Sequence, residues 1–146
     1  MSINTSGEWW RGSEPADITT YLESLKPGGY PVNRVVHAVC DCGSTRFDLF
    51  IERENELART VCCSCKRKAF VSDSESHWSA QTSAPIKCPC GCEQAELGLG
   101  LCIREDKWVR WMSLGTRCVA CGVLGSPLDW KCDLDLSDPD AIRIGG

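Results

Sequence analysis

Close-spaced cysteine pairs, occurring in two matching sets, constrain this chain more than any other feature. One set reads Lys87-Cys88-Pro89-Cys90-Gly91 and Thr116-Arg117-Cys118-Val119-Ala120-Cys121-Gly122. The other reads Cys40-Asp41-Cys42-Gly43 and Cys62-Cys63-Ser64-Cys65. A zinc ion takes four thiolates at the corners of a tetrahedron, and two tight turns held side by side by a hairpin supply them. Nineteen residues separate Cys42 from Cys62 and 27 separate Cys90 from Cys118, room for a shorter and a longer hairpin. Two structural Zn²⁺ ions are expected, one held by Cys40, Cys42, Cys62 and Cys65, the other by Cys88, Cys90, Cys118 and Cys121. Of the remaining cysteines, Cys63 and Cys92 stand close enough to replace a neighbouring ligand, and Cys102 and Cys132 read as small buried residues. His37 precedes Cys40 by three residues and reads as a structural or surface histidine, because four cysteines already complete the shell.

Hydrophobic patterning places these pairs on a mainly β fold with one short N-terminal helix, in which two β-hairpin units form small antiparallel sheets. Ile18, Tyr21, Leu22 and Leu25 fall at helical spacing, Ser13 is the expected N-cap, and Lys26-Pro27-Gly28-Gly29 ends the helix. This helix is expected to cover the first unit. Phe47, Leu49 and Ile51 alternate with Asp48, Phe50 and Glu52, and Leu57 to Val61 returns as the partner strand after Arg53-Glu54-Asn55-Glu56. In the second unit Ala95, Leu97, Leu99, Leu101 and Ile103 alternate with Glu96, Gly98, Gly100 and Cys102. So many small residues on one face require a backbone or a bulky side chain close by. The returning strand, Trp108 to Leu114, is expected to put Val109 and Trp111 on one face and Trp108, Arg110, Met112 and Leu114 on the other. The organisation read from these patterns is an aromatic segment and capping helix over 1–38, a first unit over 39–78, a connector over 79–86, a second unit over 87–132 and an acidic tail over 133–146. The Ser-rich stretch before the connector carries His77 and Trp78, with Trp78 expected between the halves.

Twelve cysteines in 146 residues would spell disulfides in a secreted chain. The N-terminus has neither a basic start nor an apolar core, and the paired spacing is that of metal ligands, so thiolates in a reducing cytoplasm are expected. No apolar run has the length of a membrane span. The net charge is −4, and residues 88–146 hold most of the surplus, with six basic and nine acidic groups. Nucleic-acid binders usually carry an excess of positive charge. The one dense basic cluster here is Lys66-Arg67-Lys68, which a ribbon contacting phosphates would use, and which also sits well beside a tetrathiolate zinc of net charge −2. No phosphate-binding loop, dinucleotide fingerprint, nucleophile elbow or zinc-protease helix is present, and a zinc closed by four thiolates does not activate water, so no enzymatic activity is expected.

The eight cysteines resemble the zinc-ribbon group over residues 39–130, arranged in tandem. Both first pairs here are C-x-C-G where the group more often has C-P-x-C-G. That group serves transcription, translation, nucleic-acid processing and protein–protein contact. The layout of aromatic N-terminus, short helix, two ribbons and acidic tail also looks like small bacterial immunity or adaptor proteins. The expectation is a non-enzymatic protein-binding module that covers the active site of a cognate toxin or enzyme. Trp9, Trp10, Trp108 and Trp111 are its expected anchors, since tryptophan is enriched at interface hot spots. Asp133 and Asp135 would meet a basic cleft. The alternative is a nucleic-acid-binding ribbon using Lys66, Arg67 and Lys68, and the third is a thiol-redox protein.

Overall fold

A computed structural model describes residues 3–4, 7, 9–25, 29–52, 57–71, 78 and 83–135, and for 132–135 the backbone alone. Helix α1 spans Ala16–Leu25, and eight strands follow: β1 Arg34–His37, β2 Phe47–Glu52, β3 Leu57–Cys62, β4 Lys68–Phe70, β5 Ser83–Pro85, β6 Gln94–Ile103, β7 Trp108–Cys118 and β8 Leu124–Asp135. The fold is mainly β with one short helix, as the patterning predicts.

The strands form a single antiparallel sheet in the order β4-β3-β2-β6-β7-β8. Its middle is the pairing of Phe47 with Ala95. These two residues are equivalent in the repeat, 48 positions apart like Cys40 and Cys88. A local two-fold therefore runs between β2 and β6 and relates β4-β3-β2 to β8-β7-β6.

The strands leading into the cysteine pairs obey the same two-fold, and they are exchanged. β1, which enters the first pair, hydrogen-bonds to β6, with His37 opposite Gly98. β5, which enters the second pair, hydrogen-bonds to β2, with Pro85 opposite Phe50. The Ala38 amide donates to the Leu97 carbonyl at 3.0 Å, and its equivalent, the Ile86 amide, donates to the Leu49 carbonyl at 2.8 Å. Ser83–Pro85, inside the expected connector, is thus a strand: its backbone groups have a partner waiting on the edge of β2. Asp133 and Asp135 likewise belong to β8, because β7 continues to Trp108 and Trp108 pairs with Asp135.

One face of the sheet is a common core. Phe47, Leu49, Ile51, Leu97, Leu99, Leu101, Met112 and Leu114 are each buried to 2% exposure or less and pack together across both units. Each such side chain contributes roughly 1.5–3 kcal/mol relative to exposure. Val109 joins Met112 in this core although strict alternation puts them on opposite faces. The register shifts between Val109 and Trp111 and, on the facing strand, between Cys102 and Ile103. A bulge of this kind turns one residue out of the alternation.

The other face of β6 and β7 is covered by α1, so the helix lies on the second unit rather than the first. The small residues explain the choice. A Cβ added to Gly115 would come within 2.8 Å of Ile18 Cγ2 and 2.9 Å of Leu22 Cδ1, and one on Gly98 within 3.0 Å of Ile18 Cγ2. Glycine lets the helix sit against the strand backbone, and Ile18 and Leu22 are fully buried there with Val32 and Leu124. Leu25 points away, 41% exposed. The helix is not capped by Ser13. Instead the buried Asp17 carboxylate turns back and accepts the amides of Ser13 at 2.8 Å and Glu14 at 3.2 Å. The stop at Lys26-Pro27-Gly28, the turn over 53–56 and His77 lie outside the described residues.

Candidate metal centres

Each cysteine pair sits on a turn closed by the same pair of backbone hydrogen bonds. The Gly43 amide donates to the Cys40 carbonyl and the Cys40 amide to the Ser44 carbonyl, at 2.8 and 2.9 Å. Gly91, Cys88 and Cys92 repeat this at 2.8 and 2.9 Å. The later pairs close in the same way, Lys66 onto Cys62 and Cys62 onto Arg67, then Gly122 onto Cys118 and Cys118 onto Val123. All four turns pass through a positive φ just after the second cysteine: 92° at Gly43, 65° at Lys66, 96° at Gly91 and 80° at Gly122. Glycine takes that conformation without penalty; Lys66 does not.

The turns bring Cys40, Cys42, Cys62 and Cys65 together, and separately Cys88, Cys90, Cys118 and Cys121, with the four sulfurs of each set within 4.8 Å of one another. Cys40 and Cys65 Sγ are 3.5 Å apart, as are Cys42 and Cys62; Cys88 and Cys121 are 3.4 Å apart, and Cys90 and Cys118 3.6 Å. A disulfide would need about 2.05 Å. A tetrahedron with zinc–sulfur bonds of about 2.3 Å has edges of about 3.8 Å. The sulfurs are placed for a shared ion, and the two tetrads can hold two zinc ions.

The electrostatics of the thiols carry the same message. Amides of Cys65 and Ser64 donate to the Cys62 sulfur and lower its pKa to about 6. Burial raises that of Cys118, but the amides of Cys121 and Ala120 more than offset it and bring it to about 6. The Arg67 amide lowers Cys65, yet the facing sulfurs of Cys40, Cys62 and Cys42, together with burial, push it to about 11. Burial and the neighbouring sulfurs also raise Cys88 and Cys121. In each tetrad one thiol is lowered while a facing one is raised, the mutual repulsion of crowded sulfurs that a shared cation would relieve. A tetrahedron of four thiolates has no vacant position for water, so an ion held by all four would serve geometry.

The structure also separates the other cysteines from these sites. Cys92 occupies the place of Ser44 in its turn, and its sulfur lies 3.6 Å from the Gln94 carbonyl. Cys63 occupies the place of Val119; its amide donates to Arg46 and that of Val119 to Gln94. Cys102 is buried within β6 opposite Trp111, near the turn end of the hairpin, and the Cys132 side chain lies outside the described residues. His37 Nε2 lies 3.0 Å from the Thr19 hydroxyl, outside both tetrads.

A repeated threonine locks the third strand of each unit. Thr60 donates to the Ala69 carbonyl at 3.3 Å and Thr116 to the Gly125 carbonyl at 3.4 Å. Beside the second tetrad, the N-terminal segment is strapped on by hydrogen bonds from Leu124 to the Trp10 carbonyl at 2.7 Å and from Gly12 to the Gly122 carbonyl at 2.8 Å. The Arg117 guanidinium holds this strap, donating from Nε to the Gly12 carbonyl at 2.9 Å while it pairs with the buried Glu96 across the strand. Arg117 and Glu96 carry no motif; in retrospect, opposite charges in mid-strand are the only signal.

The expected anchors do not form one patch. Trp9 and Trp10, 48% and 37% exposed, lie on the strap beside the second metal turn. Trp108, 37% exposed, is at the other end of β7, a separation of about 30 Å at ~3.3 Å per strand residue. Trp111 stacks on Tyr30 at 5.6 Å and donates to Asp129 at 3.0 Å. The side chains of Asp133 and Asp135 lie outside the described residues, though their backbone places them at the Trp108 end. Of the basic cluster, Arg67 is paired with Asp41. A cleft of about 630 Å³ opens beside the second metal turn, with Trp9, Ile86, Cys88, Ala95 and Leu124 in its wall. No protein-family model, curated protein or solved structure matches the chain.

Proposed function

We propose that this chain is a non-enzymatic protein-binding module of the reducing cytoplasm, held rigid by two zinc ions. In its most concrete form it is an immunity-like protein that neutralises a toxin or enzyme by covering its active site. The observation that carries the reading is Trp9, 48% exposed on a hydrogen-bonded strap and lining the cleft of about 630 Å³. A tryptophan left in water on a fixed backbone loses little conformational entropy on binding, which is what an interface anchor needs. Closed tetrathiolate sites support a scaffolding role for the metal. Trp108 and the acidic groups at the far end of β7 serve a second contact or the rim.

The test is affinity capture with the zinc-loaded, tagged protein, with and without nuclease, followed by titration of the captured protein against variants. One partner near one-to-one that survives nuclease is expected, with affinity reduced at least tenfold by Trp9→Ala with Trp10→Ala. Capture of nucleic acid instead, weakening steeply with salt and on neutralising Lys66, Arg67 and Lys68, overturns the reading. The pairing of Arg67 with Asp41 and the net charge of −4 weigh against that outcome.

A further inference from the structure

The two units differ at one informative place on their two-fold. Phe47 and Ala95 are equivalent, and they face each other across β2 and β6. Phe47 is also opposite Cys62, and Ala95 opposite Cys118. Directly paired residues point to the same side of a sheet, so one row runs from the first metal centre to the second: Cys62, Phe47, Ala95, Cys118. Beside the first centre the row is filled by a benzyl group, and Phe47 is 1% exposed. Beside the second there is only a methyl, and Ala95 and Cys118 line the cleft of about 630 Å³. Of the other walls, Leu49 stands for Leu97, whereas Ile86, on the continuation of exchanged strand β5, stands for the smaller Ala38. The first unit thus shows a ring seated in this row beside a metal turn.

We infer that the cleft over Ala95 is a receptor for one aromatic side chain of the protein partner, which seats beside Cys118 as Phe47 seats beside Cys62. This rests on the protein-binding reading above and names the chemistry of the contact. Its volume lies within the range of ligand pockets, about 300–1,000 Å³. Trp9 stands in its wall and is half exposed, and an aromatic wall favours a second ring in edge-to-face or offset contact. Polar side chains, Lys87, Glu93 and Gln94 among them, share the wall with Leu49, Ile86 and Leu124, which form the apolar seat.

The probe is p-cresol, with cyclohexanol as the aliphatic control, titrated into zinc-loaded protein and followed by methyl resonances. Saturable shifts of Ile86, Ala95 and Leu124 with p-cresol, absent with cyclohexanol, are expected. Ala95→Phe supplies the missing ring from within and should abolish those shifts while retaining two zinc ions and the native spectrum. Ala95→Leu does the same should the larger residue disturb the fold. Against the captured partner, either folded variant should lose at least about tenfold in affinity, the order expected for one buried ring. Absence of p-cresol binding, equal binding of cyclohexanol, or shifts that survive both substitutions overturn the receptor. A partner that still binds Ala95→Phe at full strength but fails with Trp9→Ala and Trp10→Ala overturns the cleft as its seat and leaves the protein-binding reading standing.

Discussion

The four metal turns allow one physical argument to be tested against itself. Gly43 and Gly122 both follow the second cysteine of a pair, with φ of 92° and 80°. Alanine at either must adopt a left-handed backbone, at about 1–2 kcal/mol, partly offset by about 0.4–1 kcal/mol because alanine restricts the unfolded chain. A Cβ on Gly43 meets nothing within 4 Å, so Gly43→Ala should cost about 1 kcal/mol and no more. A Cβ on Gly122 would lie 2.4 Å from the Gly12 carbonyl oxygen. That oxygen is backbone, and the strap must move. The move strains or breaks the Gly12–Gly122 hydrogen bond of 2.8 Å and the Arg117 contact to the same carbonyl. Overpacking adds about 1–3 kcal/mol and a lost hydrogen bond about 1 kcal/mol, so Gly122→Ala should cost about 3–5 kcal/mol. For a chain of this size 1 kcal/mol is about 2–4 °C in Tm. Thermal melting of the zinc-loaded variants should give a drop of about 3 °C for Gly43→Ala and about 10 °C for Gly122→Ala, with a change in tryptophan fluorescence only for the latter as Trp9 and Trp10 come loose. Lys66→Gly, at the equivalent turn with φ of 65°, should be neutral or raise Tm slightly. Equal drops for the two glycines would refute the strap as a stabilising contact.

Other consequences can be checked independently. Cys62→Ser should cost one zinc ion by native mass spectrometry, and with it a contribution of about 10–16 kcal/mol that matches or exceeds the stability of a whole domain. Because β1 and β5 are exchanged, the dispersed methyl resonances of Leu99 and Met112 in the other unit should collapse too, and a second unit that keeps its fold and zinc would contradict the shared sheet. Gly115→Ala should cost about 1–3 kcal/mol in urea unfolding and raise amide exchange along α1, since its Cβ meets Ile18 at 2.8 Å. Arg117→Met leaves the Glu96 carboxylate buried without its cation and should cost about 3–5 kcal/mol, most of it recovered in the double variant with Glu96→Met.

The metal ligands were legible because a tetrathiolate site needs fixed residue types at fixed spacing, and the spacing occurs twice. Alternation placed β2, β3 and β6, and the glycines of β6 announced something bulky overhead. What covers them could not be read, because the helix periodicity of Ile18 and Leu22 says only that a face is apolar, not which sheet it meets. Gly115 and the strap decide that through contacts far apart in sequence. Ser83–Pro85 and Asp133–Asp135 hid for a related reason. Ser, Pro and Asp have little strand propensity, and the edges of β2 and β7 override it. The Val109 bulge lies in a stretch with apolar residues on both faces, where alternation has no power to set register.

The two-fold explains why the repeat takes this form and not two separate ribbons. A ribbon folded alone would leave the edges of β2 and β6 open, and an exposed edge is prone to pair with other chains. Here the first unit lends β1 to β6 and the second lends β5 to β2, so each covers the other's central strand. The same geometry sets the residue before each metal turn, since β1 and β5 run directly into Cys40 and Cys88. Metal binding in one unit would therefore tighten a strand of the other. The repeat also lets the two units differ at equivalent positions. The core stays closed with Phe47 on one side of the axis, and Ala95 on the other can be small without opening the sheet, because the backbone pairing there is already made. The proposed receptor, a cleft next to a metal turn walled by exchanged strand and strap, would there take up a partner's side chain without rearranging the sheet.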